Sequence, residues 1–345
     1  IITPENAEEA AANGCARSTV KETYEFILGD LNKAIELLAN TKKTRSDKRY
    51  VSLDVAYGIR ARVHLTMHNY ADALKDAEAA LASTSSVPYS SAAVSKPTFI
   101  DIEDASWMWG ILITDKDRVS TTGICNFPSH MGSLNYGYAS VGGWRRISPK
   151  LYNQIPESDV RKGWFLDDTG VSVNLPAAAQ AYITKKGAPV YTQVKYGPMN
   201  DEWGSNNNAT DVILMRVEEM YLIKAEAQAM NNDVSGGVNT LNSFVNTYRD
   251  PSYKCTATTG EAVQEAVWHQ RRIEFWGEGL AYFDIMRLNK GVNRLGCGFP
   301  KTAVFNIAAG DPVQIYSIPN KEVQYNPLLE NNPLVSAPTP IPDEE

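Results

Sequence analysis

Glu274 and Glu278 stand four residues apart. Two carboxylates about 5–9 Å apart can flank a glycosidic bond, one as acid and one as nucleophile or base. They lie in Trp268–Leu288, WHQRRIEFWGEGLAYFDIMRL, which also carries Arg271, Arg272, Asp284 and Arg287 among large apolar side chains. On one helix the two glutamates would share a face. A general acid must keep its proton near neutral pH, whereas a neighbouring arginine holds a carboxylate ionised. Arg271 and Glu274 have the spacing of helical ion-pair partners. The segment therefore reads as a polar clamp between helices in preference to a catalytic dyad.

Other constellations are weaker. His64 and His68 form HxxxH, but Leu65 follows where a zinc protease has its glutamate, so no metal is expected. There is no GxSxG elbow or Walker loop, and Gly142-Gly143 before Trp144 reads as a turn. No cofactor is expected. The four cysteines, Cys15, Cys125, Cys255 and Cys297, form no CxxC. Free buried thiols are the plainer reading, with disulfide pairing left open.

The remaining chemistry is that of binding. Sugar rings present C–H faces that stack on Trp and Tyr, and hydroxyls that hydrogen-bond to Asn, Asp, Gln and Arg. LNYGYASVGGWRR supplies Asn135, Tyr136, Tyr138, Trp144 and Arg145. NDEWGSNNN supplies Trp203 and Asn206 beside Asn200 and Asp201. These are the candidate ligand-binding residues. Against them stands loop packing, above all for Trp144 and Arg146, because a helix-like run begins at Ser148-Pro149-Lys150-Leu151.

The elements that must position these residues are mostly helical. Residues 21–39 place Tyr24, Ile27, Leu28, Leu31, Ile35 and Leu38 on one helical face. Residues 51–81 read as two helices broken at His68-Asn69, with Ala61, Tyr70, Ala73, Ala77 and Ala80 close to the small and aromatic positions of a tetratricopeptide hairpin. A second hairpin follows at 217–248, its helices at about 218–230 and 237–248, with Ala225 and Gly237 twelve apart as Ala61 and Ala73 are. Between the hairpins, a Ser/Gly/Pro/Asn- and aromatic-rich insertion suits loops with short β-runs such as 107–114 and 188–196. After 313 a strand-like run leads into IPNKEVQYNP, read as a loop in which Pro319 and Pro327 stop any helix.

Composition excludes two partner classes. The 33 Lys and Arg against 40 Asp and Glu give a net charge of −7. Nucleic acid binding needs a basic face. A polybasic membrane anchor is equally disfavoured, and no apolar run approaches about 20 residues. Ile1-Ile2-Thr3-Pro4 has neither the basic nor the apolar region of a signal peptide.

Four blocks make the chain resemble the SusD/RagB-like nutrient-binding lipoproteins of the Bacteroidota outer membrane. They are Asp30–Ile35 (Asp-Leu-x-x-Ala-Ile), RVEEMYLIKAEA from Arg216, RRIEFWGEGLAYFDIMRL from Arg271, and IPNKEVQYNPLLENNP from Ile318. Gln270 stands where the family usually has Glu, and Ala281 where it often has Arg, which implies a thinner charge network. The resemblance implies a mostly α, SusD-like fold with tetratricopeptide-like hairpins and a loop-rich insertion carrying short β-strands. It implies one domain over 1–345: scaffold 21–82, ligand-binding insertion 83–210, scaffold with the Arg/Glu clamp 211–290, and a strand/loop tail 291–345. It further implies a non-enzymatic, cell-surface protein that binds an oligosaccharide or polysaccharide, or a peptide, and delivers it to a SusC-like TonB-dependent transporter. The membrane would be reached through an N-terminal lipid anchor outside this sequence. Two other readings remain: a tetratricopeptide-type peptide-interaction scaffold and a glycoside hydrolase.

Overall fold

The computed structural model describes residues 1–41, 43–117 and 126–341. The described residues divide between two compact units, Ile35–Ala281 and Ile1–Ala34 with Tyr282–Glu345. Cys125 lies outside the described residues; Cys15, Cys255 and Cys297 are unpaired thiols, and of these only Cys255 is buried.

The chain opens with helices α1 (Ala7–Asn13) and α2 (Val20–Asn40). The first hairpin is α3 (Leu53–Thr66) and α4 (Tyr70–Ser83), broken where the sequence indicates, with His68 at a φ of +60°. The short helix α5 (Ser91–Val94) and strand β1 (Trp107–Ile111) follow. The insertion then carries α6 (Phe127–Met131), α7 (Pro149–Tyr152) and α8 (Ala177–Lys185). Strand β2 (Val212–Arg216) pairs antiparallel with β1 and leads into α9 (Val217–Met230) and α10 (Val234–Tyr248). Next come α11 (Gly260–Glu274) and α12 (Ala281–Arg287), then a small ribbon of β3 (Val292–Asn293) and β4 (Asn306–Ile307), and α13 (Asn320–Tyr325).

Small residues fix the helical packing in the larger unit. Ala61, Ala73, Ala77 and Ala80 are all fully buried and share a core with Met215, Met220 and Ile223. Helix α4 packs on α9 as well as on α3, so the two hairpins associate directly. A Cβ at Gly237 would sit 2.6 Å from the Ala225 carbonyl oxygen and 2.8 Å from Ala229 Cβ. The twelve-residue spacing thus marks a true close approach of α9 and α10. Helix α10 begins three residues earlier than expected because Asp233 caps it, accepting from the Gly236 N–H at 2.9 Å.

Three expectations need correction. Glu274 and Glu278 do not share a helix. Helix α11 ends at Glu274, and Gly277 and Gly279 turn the chain at φ of +79° and +82° before α12 begins. These are left-handed conformations that glycine adopts without Cβ strain. The IPNKEVQYNP segment is also not all loop: α13 lies between its prolines. Pro319 sits at the N-cap, where helix geometry needs no N–H, and Pro327 follows the helix end. Of the two anticipated β-runs, 107–114 forms a strand over 107–111, while 188–196 makes isolated bridges, Arg146 with Thr192, Phe165 with Gln193 and Thr98 with Tyr196.

The family-like asparagines of the tail have a local role. Asn326 brackets Cys15, accepting from its N–H at 3.1 Å and donating to its carbonyl at 2.8 Å. Asn331 brackets Ile318 in the same way, at 2.9 and 3.2 Å.

Candidate functional site

The carboxylate pair Glu274 and Glu278 is withdrawn from water, with the Glu274 side chain fully buried and that of Glu278 5% exposed. Arg249 Nε and Nη2 donate to the two Glu274 oxygens, both at 2.8 Å. Arg216 adds a contact to Glu274 at 3.1 Å and grips Glu278 with two bonds of 2.9 Å. Arg161 reaches Glu274 at 3.3 Å and also binds Asp159. Lys195 donates to Glu278 and to the carbonyls of Glu274 and Trp276. Glu218 completes the cluster through Arg216 and Arg249, at 3.0 and 3.1 Å. Four cations (Arg161, Lys195, Arg216, Arg249) thus face four carboxylates (Asp159, Glu218, Glu274, Glu278), so the buried charge balances. Gln270 keeps a place in the network by accepting from Arg161.

The electrostatics follow from that balance. Burial pushes the Glu274 carboxyl up, but Arg249, then Arg216 and Arg161, hold it well below the usual range. Burial also pushes the Glu278 carboxyl up, and Arg216 and Lys195 hold it below the usual value. Burial brings the Lys195 ammonium down to about 8, with Glu278 resisting. Neither glutamate can store a proton for general acid catalysis. The expected clamp is present, but its partners differ. Arg271 faces Glu219 at 3.8 Å and Arg272 lies 4.9 Å over the Trp268 ring. The arginines that hold Glu274 come from distant segments, and only Arg216 stood in a sequence motif.

His64 Nε2 lies 3.8 Å from Asp76, whose carboxylate is gripped by Arg60 at 2.6 and 2.7 Å. His68 stacks on Tyr70 instead. The two histidines therefore serve different contacts.

The loop candidates have a different geometry. From Gly132 to Ser140 every residue is buried except Tyr136 and Tyr138, which are 49% and 44% exposed. Their backbone is pinned. Tyr136 N–H donates to Ser205 O at 2.8 Å, Gly137 N–H to Ser140 Oγ at 3.1 Å, and Tyr138 N–H to Ser129 Oγ at 2.9 Å. A Cβ on Gly137 would stand 2.8 Å from Ser129 Oγ and 2.9 Å from its Cα. Close backbone approach thus presents two tyrosines outward from a packed segment.

Basic and imidazole groups surround the rings. Arg145 stands 5.9 Å over Tyr138, donates to Gly143 O at 2.8 Å and lies 3.3 Å from His130 Nδ1. His130 itself packs against Tyr138 at 4.9 Å. Lys186 stands 5.7 Å from both the Tyr136 and the Tyr182 ring. Trp144 and Trp203 are half-buried against Leu134, Leu166, Ile183 and Val194. Asn135 is 1% exposed and donates to Asn208, so its side chain faces inward and cannot meet a ligand. Asn206 is exposed.

Of the seven candidate residues, the structure brings Tyr136, Tyr138 and Arg145 together. His130 and Lys186, which the structure adds to this cluster, were not among the candidates. Lys185-Lys186-Gly187, a basic pair at a helix stop, was the available signal for one; nothing local marked the other.

The family model for the SusD family matches residues 161–334, half of the 345-residue chain. This chain belongs to the SusD family. The matched span contains the clamp residues from Arg161 to Glu278, the second hairpin and the tail motif. Solved structures agree on the fold. A SusD-like carbohydrate-binding protein from Bacteroides vulgatus superposes with a TM-score of 0.74 at 23% identity, covering 93% of this chain and 68% of its own. A SusD superfamily protein from Bacteroides thetaiotaomicron gives 0.73 at 23% identity, covering 92% and 68%. No curated protein matches the chain at a significant level. The tyrosine platform lies outside the matched residues.

Proposed function

We propose that this SusD-family chain is a non-catalytic, cell-surface binding protein. It holds an oligosaccharide on Tyr136 and Tyr138 and delivers it to a SusC-like TonB-dependent transporter in the outer membrane. The ligand-binding part is the insertion 83–210, carried on the two helical hairpins, and attachment is through an N-terminal lipid. Among the described residues no helix is long and apolar enough to cross a membrane.

The observation that carries the reading is the pair of exposed rings on a pinned, otherwise buried backbone. Aromatic faces held this way bind the C–H face of a pyranose without ordering cost in the protein. Family membership and the carbohydrate-binding description of a structural neighbour support the ligand class. The sealed Glu274–Glu278 pair removes the carboxylates on which the hydrolase alternative rested.

Titration calorimetry against a panel of polysaccharides and peptides tests it. Binding to at least one polysaccharide is expected, weakened by Tyr136→Ala and by Tyr138→Ala. Hydrolysis of the bound polymer, or binding indifferent to both substitutions, contradicts the assignment.

A further inference from the structure

Beside each exposed ring stands a cation without a carboxylate partner. Lys186 is exposed, and among the described residues no acid lies within ion-pair distance of it or of Arg145. Elsewhere in the same unit the cations of the buried cluster are all matched to acids. Asp201 and Glu202, on the loop that carries Trp203, pair with neither Lys186 nor Arg145. In a chain of net charge −7, two unneutralised cations on the two rings of one platform are a local reversal of sign.

Their hydrogen-bonding capacity points the same way. Arg145 uses one N–H on Gly143 O and directs Nη2 at His130. A guanidinium has five N–H groups, so Nε–H and one hydrogen on each terminal nitrogen remain for a ligand. Among the described residues the Lys186 ammonium meets the faces of Tyr136 and Tyr182. Both groups donate and neither accepts. Lys186 also suits the C-terminal end of α8, where a cation meets the helix dipole. Arg145 lies on no helix and has no such role.

We propose that the platform selects an acidic glycan, one whose sugars carry carboxylate or sulfate groups. A sugar face stacks on Tyr136 or Tyr138 while its anionic substituent reaches the neighbouring Lys186 or Arg145. Charge-assisted bonds to an anion are stronger than those to a neutral hydroxyl, and guanidinium matches the paired oxygens of either anion. This inference rests on the reading of the platform as a glycan site.

The test uses backbone-matched polymers with the intact chain. Free polygalacturonate is compared with its methyl ester, and dextran sulfate with dextran, by calorimetry across a salt series. At low salt the acidic member of at least one pair binds about tenfold more tightly than its neutral counterpart, and the pair that shows it identifies carboxylate or sulfate. Lys186→Gln and Arg145→Gln each remove most of that preference, weakening acidic-polymer binding by a larger factor than neutral-polymer binding. Tyr136→Ala and Tyr138→Ala weaken both. Neutral polymers binding as tightly as acidic ones, with the tyrosine substitutions still harmful, overturns the acidic preference alone. Acidic binding that survives both tyrosine substitutions, or no binding by any polymer, overturns the platform as well. Far-ultraviolet dichroism of each variant confirms that it is folded.

Discussion

The buried carboxylate cluster and the tyrosine platform lie in one unit and invert each other. Around Glu274, every ionic group is out of water and matched by opposite charge. Around Tyr136, the aromatic groups face water and the cations are unmatched. Charge density in the sequence therefore pointed to the structural region, and two modest tyrosines to the proposed binding face. Ions cluster where the fold must satisfy them, because an unpaired buried ion is costly. A binding face must instead leave its groups unsatisfied until the ligand arrives.

If that contrast holds, the largest effect comes from Glu274→Gln. Three arginines lose a shared counter-charge, and about 3–5 kcal/mol of stability should go, read as a lower denaturant midpoint. Acid should act on the same cluster. The folded-state values of Glu274 and Glu278 are depressed, so their contribution is present above the unfolded value of about 4.3 and is lost as pH falls through the folded values. A stability profile flat from pH 6 to pH 3 would contradict the burial described here. Lys195 adds a change of the same sign at higher pH. Its folded value of about 8 lies below the unfolded value of about 10.4, so its contribution to stability should rise between those two pH values.

Gly237→Ala comes next. The added methyl group meets the Ala225 carbonyl, and about 1–3 kcal/mol should be lost to overpacking, with the melting temperature as readout. Tyr136→Ala should leave stability within about 0.5 kcal/mol and reduce glycan affinity by about tenfold, the loss of one stacking face. A large stability loss there would erase the distinction between the two regions. Arg272→Ala removes a half-exposed cation–π contact with Trp268 that is itself worth about 0.5–1 kcal/mol, read as a small shift in the denaturant midpoint.

The hairpins were legible because their signals are local. Ala61, Ala73, Ala225 and Gly237 report close helix contact through size alone. The helix in 320–325 was not, because two prolines look like breakers until it is known that one precedes the first turn and the other follows the last. The continuous helix through Glu278 failed for a related reason: apolar periodicity runs on past Glu274, while Gly277 and Gly279 turn the backbone. In the platform, tyrosine and arginine types suggested stacking, but Asn135 and Tyr136 are adjacent in sequence and face opposite ways. That alternation depends on Ser129, Ser205 and Asn208, none of them a neighbour in the chain.

By itself the sequence determined the helical scaffold and the family. Both are written in short-range spacings, where side-chain size and helix period act within a few residues. Only the tertiary structure decided which cations hold Glu274 and which rings reach water. Arg161 meets Glu274 across 113 residues of chain and Arg216 across 58. Ionic pairing and exposure at such separations are set by the packing of whole elements, and a one-dimensional pattern carries no record of it.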